Sequence, residues 1–164
     1  MRQREVARVA FLRVAFAYSR QKLSPYIGFA RKALHDEAGA RAAFLKAKSA
    51  TQEELKRTGD SEDTHIHLAK VLAYLGEKDS ALAEAQRATE LVPESKDALD
   101  GPVITTGVAQ VYSILGDNDR AIQILQGLLS RPSPITVRTL KLDPIWDPLR
   151  SNLRFQKLCE EKQP

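Results

Sequence analysis

The sequence has 164 residues, 43% hydrophobic and 28% charged, with a formal net charge of +4 at pH 7. This length and balance predict one soluble globular domain or a short repeat array that can bury a core without covalent staples. The single cysteine, Cys159, excludes an intramolecular disulfide framework and favours a cytoplasmic location, and no apolar run is long enough to predict a membrane span.

The N-terminal segment holds the excess positive charge. Residues 1–34 contain eight Lys or Arg and one acidic residue, Glu5. Arg8 and Arg13 interrupt the apolar stretch, so residues 1–22 are predicted to form a basic amphipathic helix rather than a signal peptide. Such a segment either attracts nucleic acid or a membrane surface, or packs as a solvated helix face. The second interpretation is favoured, because no groove-reading motif accompanies the charge.

The following segments read as helices in chain order. Strong helix formers dominate, and Gly, Pro, Asp and Ser mark the breaks. Ser24-Pro25 predicts one helix start, and Asp36 precedes a helical run that extends to about Arg57. The connection at 92–102, "VPESKDALDGP", is predicted to be long, and "SRPSP" at 130–134 is a proline-rich break.

Two stretches 40 residues apart repeat one pattern. "LGEKDSA" contains Gly76 and Ala81, and "LGDNDRA" contains Gly116 and Ala121 at the same offsets. Each glycine can end a helix in the left-handed conformation, and the small residues allow two helices to cross closely. Since neither helix pair can bury its apolar face alone, the pairs are expected to stack.

This pattern resembles the tetratricopeptide repeat, a helix-turn-helix unit whose Gly, Ala, Ala and Pro stand here as Gly76, Ala81, Ala88 and Pro93. The second unit keeps Tyr112, Gly116 and Ala121, and a weaker upstream unit has His35 where the turn glycine is expected. The resemblance implies an all-α fold, a short right-handed α-α solenoid forming a single domain over residues 1–164. Its parts are the N-terminal amphipathic helix at 1–22, a degraded repeat at 23–58, repeats at 62–95 and 102–134, and a C-terminal capping segment at 135–164.

The capping segment contains "LKLDPIWDPLRSNLRFQKL", with two Asp-Pro turn signals. It is predicted to plug the last junction with Trp146 and to end in a helix that buries four apolar residues: Leu149, Leu153, Phe155 and Leu158. Solenoids need an atypical cap of this kind. The segment resembles the C-terminal tetratricopeptide region of multidomain bacterial signalling proteins, which implies that the chain is part of a longer protein.

No motif predicts catalysis, so the chain is not expected to be an enzyme. His65 and His67 lie two positions apart on a helix and therefore point in different directions, which disfavours a metal site. Cys159 is followed by two glutamates, which disfavour a reactive thiolate. No cofactor is expected.

The resemblance implies a non-catalytic protein-interaction module that binds a partner peptide or helix in the concave groove. The first helix of each pair lines that groove, with ten candidate residues: Phe29, Lys32, Ile66, Lys70, Ala73, Tyr74, Thr106, Gln110, Ser113 and Ile114. One alternative is a regulatory or homodimerisation segment of a larger signalling protein. The other is electrostatic binding of nucleic acid or a membrane surface through residues 1–34.

Overall fold

The computed structural model describes residues 23–160, and within this range every regular element is helical. The predicted amphipathic helix at 1–22 lies outside the described residues. The chain divides into two compact units, at residues 1–59 and 60–164. The all-α class is confirmed for the described part, whereas a single domain over the whole chain stays a prediction.

The first unit is a helix pair, α1 (Leu23–Ala33) and α2 (Glu37–Thr58). The Asp36 side chain accepts a hydrogen bond from the Gly39 amide at 2.9 Å, so it caps α2 as its position predicts. Between the helices His35 has φ of +61°, the left-handed conformation expected of a turn glycine. The turn between α1 and α2 therefore has a left-handed residue although that residue is not glycine.

Close packing in this pair depends on Gly28, since a methyl group added there would come within 2.5 Å of Cε1 of Phe44. The Phe44 ring lies 5.4 Å from that of Phe29, which meets Tyr26 edge to face at 5.9 Å. These centroid distances are typical of aromatic pairs in cores. Gly28 therefore lies where the packing of α1 against Phe44 leaves no room for a side chain.

The second unit begins with two helix pairs, α3 (Glu62–Leu75) with α4 (Lys78–Leu91), and α5 (Gly101–Ile114) with α6 (Asn118–Leu129). Within each pair the two helices pack together, and α5 also packs against α3 and α4. The turn glycines Gly76 and Gly116 have φ of 80° and 78°, which confirms the predicted helix stops.

Small residues are buried where the alignment predicts helix crossings. Five alanines of the described residues have no exposed surface: Ala69, Ala81, Ala88, Ala109 and Ala121. Residues 92–100 form a turn-rich connection in which Asp97 accepts hydrogen bonds from the amides of Leu99 and Asp100. The predicted long connection is therefore a loop up to Asp100, and α5 begins at Gly101.

The second unit ends with α7 (Val137–Leu142), a 3₁₀ helix (Pro144–Leu149) and α8 (Leu153–Glu160). Trp146 is completely buried in a cluster that includes Leu125 of α6 and Phe155 of α8, so the predicted plug is confirmed. Leu153, predicted to be buried, is instead 73% exposed. Leu149 is buried but belongs to the 3₁₀ helix. Because residues 150–152 separate it from α8, Leu149 and Leu153 do not lie on one face of a continuous helix.

Arg150 holds this turn together. Its guanidinium donates to Oδ1 of Asp147 at 2.6 Å, to the carbonyl of Lys141 at 2.8 Å and to that of Asp143 at 3.1 Å. Carbonyls at the end of a helix have no partner within the helix, and Arg150 supplies one for the end of α7.

Candidate functional site

The structure places the ten predicted groove residues in both units. Phe29 and Lys32 belong to α1 in the first unit, where Phe29 is half-buried against Phe44 and Lys32 forms an exposed ion pair with Glu37 at 3.4 Å. The other eight lie on α3 and α5 in the second unit, and these two helices pack side by side.

Four of the eight side chains are buried: Ile66 and Ala73 on α3, and Thr106 and Ser113 on α5. The expectation of an open groove does not hold for them. A methyl group added to Gly107 would overlap Cγ1 of Ile66, so the close approach of the helices covers this isoleucine. Thr106 donates its hydroxyl to the carbonyl of Pro102, one turn earlier on its own helix.

Ser113 is covered by the capping segment. The 3₁₀ helix packs against α5, and the Ser113 hydroxyl donates to the carbonyl of Ile145 at 3.3 Å. The sequence predicts Ser113 on the groove from its offset within the repeat. That offset takes no account of the capping segment, which packs over this part of α5. The cap therefore borders the face that the first helices form, and Ser113 anchors it.

The four remaining candidates, Lys70 and Tyr74 on α3 and Gln110 and Ile114 on α5, are half-buried. We call them the α3–α5 face. Lys70 Nζ donates to Oε1 of Gln110 at 3.2 Å, which joins the two helices across this face. Lys70 and Gln110 occupy equivalent positions in the two repeats, 40 residues apart.

Burial perturbs the ionisable groups of the α3–α5 face. Desolvation lowers the pKa of Lys70, and the nearby charges of Asp143 and Asp63 oppose that shift. Desolvation also raises the pKa of the Tyr74 hydroxyl, with further contributions from Asp143 and Asp147. Tyr74 is therefore a neutral hydrogen-bonding group at physiological pH, and burial disfavours the charged form of Lys70.

Sequence reasoning missed Asp143. Its carboxylate caps the 3₁₀ helix by accepting from the Ile145 amide at 3.0 Å, and its charge acts on both Lys70 and Tyr74. Burial raises the pKa of Asp143, against the effects of that backbone hydrogen bond and of the Lys70 and Arg150 charges. The Asp-Pro signal identifies it as a turn residue, but only the fold shows that the turn borders α3.

The described residues contain no group of three or more His, Cys, Asp or Glu side chains that could hold a metal ion. Cys159 is buried, and desolvation raises the pKa of its thiol. None of the helices between residues 23 and 160 has the length and apolar character needed to cross a membrane. No family model, curated protein or solved structure matches the chain.

Proposed function

We propose that the chain is a non-catalytic protein-interaction module with a tetratricopeptide-like right-handed solenoid, and that a partner peptide or helix binds on the α3–α5 face. The observation that carries the proposal is the Lys70–Gln110 hydrogen bond, which aligns two helices at equivalent positions and leaves both side chains half-exposed. The resemblance to the repeat family supplies the functional class.

The α3–α5 face combines the features that a peptide-binding surface needs. Tyr74 and Ile114 supply apolar area, while Lys70 and Gln110 supply donors that set the register of a bound chain. Tyr74 is well suited to anchor a partner, because its ring is large and its few rotatable bonds lose little conformational entropy on binding. We expect Tyr74 to contribute most of the binding affinity. We expect the hydrogen bonds of Lys70 to fix the register of the bound chain.

The test is affinity capture with the full chain as bait, comparing wild type with Tyr74→Ala and Lys70→Glu. Both variants should lose the same set of captured proteins, whereas Tyr74→Phe should keep most of it because the ring remains. Lys78→Glu is the matched control, since it makes the same charge change at an exposed position on α4. Circular dichroism should show unchanged helix content in all four variants. Capture that survives both Tyr74→Ala and Lys70→Glu would contradict the proposal.

One observation favours the alternative of a homodimerising regulatory segment. Leu142 on α7 and Leu153 on α8 are 50% and 73% exposed, and these two helices pack against each other. Exposed leucines on adjoining helices can form part of an interface between subunits. Light scattering of the full chain distinguishes the alternatives: a dimer that Leu153→Glu dissociates supports this one, and a monomer excludes it.

A further inference from the structure

The capping segment brings a carboxylate to the edge of the α3–α5 face. The Ser113 hydroxyl on α5 donates to the carbonyl of Ile145 at 3.3 Å, and the Ile145 amide donates to Oδ1 of Asp143 at 3.0 Å. These two hydrogen bonds hold Asp143 beside the turn of α5 that follows Gln110. The 3₁₀ helix that Asp143 caps also packs against α5, so the position of the carboxylate is fixed by the fold.

The carboxylate of Asp143 keeps one oxygen available to a donor. Asp143 is half-buried, and the Ile145 amide is the one hydrogen-bond donor that its side chain meets among the described residues. Its Oδ2 accepts no hydrogen bond within that part of the chain, and it is not one of the side-chain atoms that are enclosed there without a partner. A donor from another molecule can therefore reach Oδ2.

No nearby cation neutralises this carboxylate directly. Arg150 directs its guanidinium to Asp147 and to backbone carbonyls, and Lys70 donates to Gln110. Between residues 23 and 160, no Lys, Arg or His nitrogen lies within 4.0 Å of the Asp143 carboxylate. Burial raises the pKa of Asp143 in spite of the more distant charges of Lys70 and Arg150, so its ionised form is incompletely compensated.

The other side chains of the face leave an excess of negative charge next to apolar area. Helix α5 contains no Asp, Glu, Lys, Arg or His, and Tyr74 and Ile114 supply the apolar area. Lys70 is the one cation of the face itself. Three carboxylates act on Lys70 or Tyr74, those of Asp63, Asp143 and Asp147. A partner of complementary charge is therefore basic as well as apolar.

We propose that the partner segment presents an arginine to Asp143 and packs apolar side chains on Tyr74 and Ile114. The guanidinium donates to the available Oδ2, and a charge-assisted hydrogen bond to a partly desolvated carboxylate is stronger than a neutral one. Arginine suits this position better than lysine, because its planar fork matches a carboxylate and can stack on a neighbouring ring such as that of Tyr74. This inference rests on the proposed function, since it names the chemistry of the partner that binds the same face.

The first test selects short peptides from a random library against the full chain and against Tyr74→Ala. Peptides that wild type retains and Tyr74→Ala loses bind the α3–α5 face, whereas acidic peptides attracted by the Lys and Arg of residues 1–34 survive that substitution. We expect the Tyr74-dependent peptides to be enriched in arginine over the input library. Tyr74-dependent peptides without this enrichment overturn the inference and leave the proposed function standing. If no peptide depends on Tyr74, both fail.

Asp143→Asn tests the contact itself, because it removes the charge and keeps an oxygen that can cap the 3₁₀ helix. The affinity of a selected peptide, measured by fluorescence anisotropy, should fall about tenfold, the size of one hydrogen bond to a charged group. Asp97→Asn is the matched control, since Asp97 also accepts backbone amides and lies at the opposite end of α5. It should leave the affinity unchanged. Equal affinities for wild type and Asp143→Asn would overturn the inference.

A change in the peptide keeps the test decisive if Asp143→Asn does not fold. Replacing the arginine of a selected peptide by citrulline, its neutral analogue, should weaken binding to wild type by about tenfold, and replacing it by lysine should weaken binding less. Where Asp143→Asn folds, the protein and peptide changes should not add, because both remove the same pair. A citrulline peptide that binds wild type as tightly as the arginine peptide, or two changes that simply add, would refute the contact.

Discussion

The contact between Gly107 on α5 and Ile66 on α3 predicts how one added methyl group changes the free energy of unfolding. In Gly107→Ala the new Cβ would overlap Cγ1 of Ile66 and lie 3.0 Å from its Cδ1. Alanine is the better helix former, which favours the variant by roughly 0.5–1 kcal/mol. Overpacking a fixed core contact costs roughly 1–3 kcal/mol, so it outweighs that gain. We expect Gly107→Ala to lower the free energy of unfolding by about 1–2 kcal/mol.

Gly127 in α6 is the matched control, since the nearest atom to an added Cβ is Nη1 of Arg131 at 3.4 Å, the far end of a flexible side chain. Gly127→Ala should raise the free energy of unfolding by about 0.5–1 kcal/mol. Urea unfolding followed by Trp146 fluorescence measures both variants. The two substitutions should therefore shift the midpoint in opposite directions.

A double-mutant cycle identifies the contact. Ile66→Ala removes Cγ1 and should cost about 2–5 kcal/mol on its own. In that background Gly107→Ala should cost nothing or stabilise, giving an interaction of at least about 1 kcal/mol between the two sites. If Gly107→Ala stabilises as much as Gly127→Ala, or if the two effects simply add, the close approach of α3 and α5 is refuted.

Three further predictions concern the turns, the cap and the thiol. Gly76→Ala should lower the free energy of unfolding, measured by urea titration, by about 1–2 kcal/mol. No atom lies within 4 Å of the added Cβ, so the cost comes from the left-handed backbone conformation. Unchanged stability would contradict a left-handed helix stop at Gly76. Arg150→Lys should lower the unfolding midpoint by losing the guanidinium fork, at about 1–2 kcal/mol, whereas Arg154→Lys, at an exposed ion pair, should change it little. Cys159 should react with a thiol-specific reagent at least about tenfold more slowly than a free thiol at pH 7.5, and equal rates would show that the thiol is accessible.

Local chemistry made much of the fold predictable. Gly76 and Gly116 mark helix stops because a left-handed residue is needed there, and the buried alanines follow from the repeat spacing. The prediction that Leu153 is buried is wrong, because it assumes one continuous helix from Leu149 and the chain breaks between them. His35 shows the converse, since a non-glycine residue adopts the turn conformation that its side chain disfavours.

The candidate site was less predictable because long-range contacts decide exposure. Repeat offsets place Ile66 and Ser113 on the groove. The close approach of α5 at Gly107 covers Ile66, and the capping segment covers Ser113. Asp143 approaches Lys70 from 73 positions away in the sequence, and no local pattern encodes that proximity. The sequence does not predict the carboxylate neighbours of His65, because they come from a different helix and a loop.

The Lys70–Gln110 hydrogen bond limits how such repeats can be copied. It joins a donor in one repeat to an acceptor at the same position in the next. Two lysines there would bring two ammonium groups together in a desolvated environment, where like charges repel strongly. A faithful duplication of the Lys70 repeat could not reproduce this contact, whereas two glutamines could still pair because each side-chain amide both donates and accepts. An array lengthened by copying the Lys70 repeat would therefore need a compensating change at each new junction.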